Sequence, residues 1–228
     1  MKNLPEFNFR FIIGNLYWKN KSKINKIYPY LTHDIKADVL VIGGGIAGAL
    51  TTYFLTKEGA NVVTVEKNII GFGNTIADTA ALEYQLESEM SKLEKSIGRK
   101  DATRIYKLCL DSISKIENIN KEFKAPTGFL RQDNIYFTNK FMQRGAVAKE
   151  FDKRKDSGFD AVYIDSHSLV NLNSGIVTKN ASAIMNPYSF TQGLFEYLDT
   201  MDNVKIFENT KIDDIKCRID EVECKTHN

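Results

Sequence analysis

At 228 residues the chain is long enough for one large domain or two small ones, and folding at this size buries roughly 70% of the surface the unfolded chain exposes, so no disulfide or metal staple is required. Hydrophobic residues make up 43% and charged residues 26%, which excludes wholesale disorder; 31 Lys and Arg against 29 Asp and Glu leave a net charge of +2, which excludes a broad cationic field for nucleic acid or an anionic membrane. Cys109, Cys217 and Cys224 form neither a CxxC nor an even disulfide framework, which points to a reducing, cytoplasmic compartment, and the scattered His33, His167 and His227 supply no zinc set.

Residues 1–36 read as an extension. They are rich in Lys and Asn and show no sustained period of 2 or 3.6, so the expectation is a strap held on the outside of a domain by Phe11, Trp18 and Tyr30. The apolar stretch 9–13 is interrupted by Arg10 and is too short for a signal-peptide core or a membrane span. At Ala37 the pattern changes. Residues 39–42 (VLVI) are a continuous apolar run, as expected of a strand buried on both faces of a parallel sheet. Glycines follow, then residues 46–57 read as a helix closed by Gly59, where a left-handed residue is wanted. Residues 62–65 (VVTV) are a second buried strand, and the whole makes one βαβ unit.

Residues 77–123 read as two helices broken around Gly98, the second with an apolar stripe of Ile105, Leu108, Cys109, Ile113, Ile116 and Phe123. Pro126 and Gly128 end this region. Residues 129–138 and 161–164 read as strands, with a charged helix over 142–155 between them. Asn186-Pro187 introduces a helix over 188–201, because proline is tolerated in a first helical turn. Short strands over 204–207, 212–217 and 221–226 close the chain.

The chemistry concentrates in Gly43-Gly44-Gly45-Ile46-Ala47-Gly48, which fits G-x-G-x-x-G. Alone the hexapeptide says little; between a buried strand and a helix it has the context its mechanism requires. Gly43 permits the tight turn out of the strand, Gly45 leaves the backbone open to a pyrophosphate, and Gly48 lets helix and strand pack closely. The helix start at Ile46 and Ala47 presents unpaired N–H groups and a partial positive charge to the anion. Glu66 ends the second strand, 23 residues after Gly43. A carboxylate there accepts from both hydroxyls of an adenosine ribose and repels a 2′-phosphate. Strand, glycines, helix, strand and acid in register predict a dinucleotide that binds here or did so in an ancestor.

The segment from Glu66 and Lys67 through Gly71-Phe72-Gly73-Asn74-Thr75 continues into Ala77-Asp78-Thr79-Ala80-Ala81-Leu82, a loop of small and polar residues feeding a helix. It resembles the second flavin-contacting segment of the FAD-dependent oxidoreductases of the D-amino-acid oxidase, glycine oxidase and sarcosine oxidase superfamily, and with Tyr84 it looks most like a bacterial branch of that group. Two further segments agree. Residues 185–194 resemble the proline-led helix that returns the chain from substrate domain to FAD domain, and residues 209–215 resemble the following strand, whose backbone meets the adenine at Ile212. The resemblance runs over residues 15–226 and is most specific over 38–82. A nicotinamide-dependent dehydrogenase would carry further βα units after Glu66, and these are missing.

The resemblance implies an α/β fold class. A discontinuous Rossmann-like FAD-binding domain with a parallel sheet covers 37–85 and 187–228, and part of an α+β substrate domain covers 86–186. It implies FAD held by Gly43, Gly45, Ile46, Ala47, Gly48, Glu66, Lys67, Gly73, Asn74, Thr75, Ala80 and Ile212. The bond is non-covalent, since residues 66–90 contain none of the His or Cys residues through which such proteins attach flavin. Hydride transfer from the C–N bond of an amine or amino acid is the implied chemistry, with hydroxy-acid or glycerol-3-phosphate oxidation as an alternative on the same scaffold. Arg131, on a strand facing the substrate, and Tyr84, near the flavin, are the candidate substrate-side residues, each weighed against a plain surface or packing role. The family pattern continues after Thr226 with another strand and a long second half that is not in these 228 residues. The chain therefore resembles the amino-terminal part of an enzyme, or a non-catalytic remnant or assembly half. Its partners are a complementing carboxyl-terminal chain or a second copy, with no nucleic acid and no transmembrane segment.

Overall fold

The computed structural model describes residues 15–22, 26–165 and 172–226; Phe11, the 9–13 stretch, His167 and His227 lie outside them. The chain divides into two compact units: one runs to Thr79, takes in Phe123–Thr127 and resumes at Asn186, and the other holds Ala80–Glu122 and Gly128–Met185.

In the first unit, β1 (Val39–Ile42), β2 (Val62–Val65) and β7 (Val204–Phe207) form a parallel sheet in the order β1-β2-β7. Val39 pairs with Val62 and Val62 with Val204, and at the other end Ile42, Val65 and Phe207 are level. The apolar run of β2, the middle strand, is explained by this placement, since all four of its residues are buried; in β1, at the edge, only Val41 is buried and Ile42 is exposed, short of the full burial expected. Helix α2 (Ile46–Lys57) joins β1 to β2, and Gly59 beyond it takes φ +89°. Helix α6 (Pro187–Leu198) opens as its sequence requires, with Pro187 in the first turn and the Asn186 side chain accepting the Ser189 N–H at 3.0 Å. It packs so closely on the 123–127 segment that a Cβ on Gly193 would lie 2.5 Å from Ala125 Cβ. A two-stranded antiparallel ribbon, β8 (Ile212–Cys217) with β9 (Val222–Thr226), follows.

The strap differs in detail from expectation. It contains a short helix, α1 (Tyr17–Lys21), and Trp18 packs beside Phe72, Ile76 and Tyr188 while its indole N–H donates to Asp78 O at 2.9 Å. Tyr30 is not an anchor, being 57% exposed; Tyr28, two residues earlier, is buried at 3%. The intervening proline, Pro29, lies between a ring that points in and one that points out.

In the second unit β6 (Ser174–Ile184) is the central strand of an antiparallel sheet, order β3-β6-β4. It pairs along its length with β4 (Leu130–Thr138), and on its other edge with β5 (Ala161–Ile164) and β3 (Ala81–Glu83). Helices α3 (Met90–Ile97), α4 (Arg99–Phe123) and α5 (Arg144–Asp156) complete the unit. Gly98, at φ +85°, separates α3 from α4 as expected. Three expectations need correction. Residues 78–89 are not helical: a 3-10 turn (Asn74–Ala77) leads into β3, because residues 81–83 pair with β6. Tyr84 therefore sits just after a strand. On α4, Leu108 is 51% exposed, and the buried stripe runs through Ala102, Tyr106, Ile113 and Ile119.

Candidate functional site

The crevice at the carboxyl ends of β1 and β2 is built by the glycines. Gly43 leaves the strand at φ +115°, a conformation that favours glycine, and its amide donates to Val65 O at 2.8 Å. A Cβ on Gly48 would stand 1.9 Å from the Gly43 carbonyl oxygen, so the start of α2 can approach β1 only without a side chain there. A Cβ on Gly44 would collide with Ile70 Cδ1 at 2.3 Å and Glu66 Cβ at 2.9 Å. Gly45 faces Thr75 Oγ1, 3.1 Å from an added Cβ.

The polar groups converge on the same turn. One oxygen of Glu66 accepts from the Gly44 N–H and the other from the Asn68 N–H, each at 2.8 Å. An ionised carboxylate offers about four lone-pair sites, so two remain for a vicinal diol after the two amides are satisfied. Thr75 Oγ1 accepts from the Ile46 N–H at 3.0 Å, which leaves its own proton to donate to an anion. The amides of Ala47 and Gly48, in the first turn of α2, have no intrahelical acceptor and lie at the positive end of the helix. A turn too tight for side chains at Gly44 and Gly48, a carboxylate with spare acceptor capacity and first-turn amides at a helix start fit the two phosphates and ribose of a dinucleotide.

The other expected residues are placed as follows. Lys67, Gly73 and Asn74 are exposed on the loop that leaves Glu66, while Thr75 is buried. Ile212 opens β8, and its side chain packs on the Val63, Val65 and Phe207 cluster. Ala80 belongs to the second unit and adopts φ +72° although it is not glycine. Tyr84 and Arg131 also belong to the second unit. Tyr84 is fully buried, its hydroxyl 2.7 Å from Thr178 Oγ1 and accepting from Arg154 Nη1 at 2.8 Å. Arg131 donates to Asn180 O at 2.8 Å and Ser114 Oγ at 3.2 Å and pairs with Glu117 at 3.5 Å. Three protein partners thus already occupy its guanidinium.

Three buried ionisable side chains, Arg154, Glu150 and Glu208, were not anticipated. In the second unit Arg154 is wholly buried, its guanidinium donating to Glu150, Tyr84 and Gln85 at 2.8–2.9 Å, with the Tyr84, Tyr106 and Tyr136 rings around it. Glu150 in turn accepts from the Met90 and Ser91 amides that open α3. In the first unit Glu208 is fully buried at the end of β7, accepting from the Ile70 N–H at 2.8 Å and the Tyr28 N–H at 3.0 Å. Burial pushes its carboxyl above the usual range, the two amides pull it back, and Glu66 nearby pushes it up again. The sequence held a signal for it: Val204–Phe207 followed by Glu208 repeats the form of Val62–Val65 followed by Glu66, one strand over.

Fold and site together define an α/β protein with a nucleotide-binding βαβ core. The comparisons narrow this further. The family model described as DAO, FAD dependent oxidoreductase, matches residues 38–228, and the chain belongs to that family. It is 27% identical over 201 residues to a putative Rieske 2Fe-2S iron-sulfur protein of Bacillus subtilis, covering 88% of this chain and 39% of the relative. Its fold matches that of an L-amino acid deaminase from Proteus myxofaciens in complex with anthranilate (TM-score 0.69, 17% identity, 88% of this chain and 44% of that one). It also matches a dithionite-reduced L-alpha-glycerophosphate oxidase from Mycoplasma pneumoniae with FAD bound (TM-score 0.63, 18% identity, 84% of this chain and 50% of that one). The chain thus spans half or less of the length of each of these proteins.

Proposed function

We propose that this chain is the amino-terminal part of an FAD-dependent oxidoreductase that takes a hydride from the C–N bond of an amine or amino acid, with its FAD held non-covalently. The observation that carries the reading is the Glu66 carboxylate turned onto the Gly44 amide at 2.8 Å, beside a turn too tight for any side chain at Gly48. Bound flavin supplies the hydride acceptor. The chain's own residues do the holding: Glu66 takes the ribose hydroxyls, the Ala47 and Gly48 amides and the Thr75 hydroxyl take the pyrophosphate, and the start of α2 lends its positive end. Gly43, Gly45 and Ile46 shape that turn, and Lys67, Gly73, Asn74, Ala80 and the Ile212 backbone are the further contacts that the family resemblance assigns.

The substrate class rests on likeness to proteins that act on amino acids. The fold match to a glycerophosphate oxidase supports hydroxyl oxidation as the second reading. The proposal includes a complementing polypeptide, because β1 pairs with β2 alone among the described strands and Ile42 at its end is 53% exposed. Strands of a parallel sheet are ordinarily covered on both sides.

The visible absorption spectrum of the purified 228-residue chain, with and without added FAD, tests this. Flavin bands that bleach anaerobically with amino acids support amine oxidation, and bleaching with glycerol 3-phosphate alone transfers the assignment to the second reading. A colourless chain that gains flavin only with a second polypeptide supports the assembly half. A chain that never takes FAD in either setting overturns the flavin reading.

A further inference from the structure

Two segments outside the glycine motif meet at one carboxylate. Ile70, whose amide Glu208 holds, lies on the loop that presses against the glycine turn. Its carbonyl accepts from Gln192 Nε2 at 2.6 Å, and the next amide, of Gly71, donates to Gly44 O at 2.8 Å. Tyr28, whose amide takes the other oxygen, lies on the strap. The turn that carries Glu208 binds the strap twice more: the Glu208 N–H donates to Pro29 O, and Thr210 Oγ1 accepts from the Leu31 N–H, both at 3.0 Å. It binds the loop twice more as well, through the Asn209 and Thr210 amides to Asn68 O and Glu66 O at 2.9 Å. A carboxylate withdrawn from water is costly unless charge-assisted bonds satisfy it, and here both such bonds reach backbone of segments outside the regular helices and strands.

We propose that Glu208 is a positioning residue for the dinucleotide cradle: by holding the Ile70 and Tyr28 amides at once, it couples docking of the strap over residues 26–35 to the placement of the loop over residues 66–73 against the glycine turn. This deepens the flavin reading given above and rests on it. The strap is then a working part of the nucleotide site.

Backbone amide exchange of the 228-residue chain, followed by mass spectrometry, tests the coupling in peptides over 26–32 and 67–72, with 49–56 in α2 as internal reference. Glu208→Gln keeps one acceptor oxygen and turns an NH2 group toward the other amide. Independent segments would then loosen one at a time; coupled segments loosen together. The expected result is exchange at least about tenfold faster in both peptides with α2 unchanged, and FAD binding, read by flavin fluorescence quenching, weakened at least about tenfold. Loosening of one peptide alone, or of α2 in step with the others, overturns the proposal. If Glu208→Gln does not fold, Thr210→Val decides: it removes the Leu31 acceptor and leaves Glu208 in place, so faster exchange over 26–32 must be accompanied by faster exchange over 67–72. A wild-type chain that takes FAD neither alone nor with a second polypeptide would sink the flavin reading, and the exchange data would still decide on Glu208.

Discussion

Glu66 and Gly44 are joined across the mouth of the crevice by a 2.8 Å hydrogen bond, so the end of β2 and the turn after β1 are fixed to one another before any nucleotide arrives. Glu66→Gln keeps an acceptor for one amide and loses the charge. We expect FAD affinity, measured by quenching of flavin fluorescence, to fall at least about tenfold while the thermal midpoint moves little. Unchanged affinity would remove Glu66 from the site.

The contact between α2 and β1 at Gly48 is the tightest in the glycine turn. Gly48→Ala places a methyl group 1.9 Å from the Gly43 carbonyl oxygen, and rigid backbone, unlike a flexible side chain, gives way only with strain. We expect a loss of roughly 1–3 kcal/mol in urea denaturation, together with loss of FAD binding. Gly145→Ala, in α5 with open space around it, serves as the control and should be neutral or slightly stabilising.

How much of this was legible in the residues themselves varied by element. The βαβ core was readable because its strands are short runs of almost wholly apolar, β-branched-rich sequence and its turn requires glycine. β6 was not, since its buried face carries Ala181 and Ala183, whose small side chains give no hydrophobic signal; Tyr84, Tyr106 and Phe159 fill the space against them. β3 was hidden for a similar reason, as its three residues become a strand only by pairing with β6. Arg154 and Glu150 read in the sequence only as part of a charged helix, and tertiary packing is what buries them.

That buried pair gives a prediction of its own. Arg154→Met leaves Glu150 without its cation inside the second unit, and we expect a loss of about 3–5 kcal/mol by chemical denaturation. Arg154→Lys should recover little of it, because one ammonium cannot serve the Glu150, Tyr84 and Gln85 oxygens in three directions. The double variant Glu150→Gln, Arg154→Met should lose less than the sum of the single losses.

Alkaline pH should unfold the chain through its tyrosines. Burial, with help from Glu89 and Glu208 respectively, pushes the Tyr136 and Tyr188 phenols up to about 12 from 10.0, and burial raises those of Tyr28, Tyr84 and Tyr106 as well. An acid whose folded value is raised favours the neutral form. Its contribution is complete below pH 10 and lost as the pH climbs toward 12, where the unfolded chain ionises first. Absorbance at about 295 nm and circular dichroism, recorded together, should show phenolate formation and loss of structure in one transition. Early ionisation without unfolding would contradict the burial of these rings.

The order in which the strands lie along the chain has a consequence during synthesis. β1 and β2 are made one after the other, but the far edge of β2 stays unpaired until Val204 has been made, with the whole second unit translated in between. A nascent polypeptide of this kind exposes the unpaired edge of a largely apolar strand while the intervening unit is made, so its yield in a cell should depend on chaperones that shield such edges and on the speed of translation through the intervening codons.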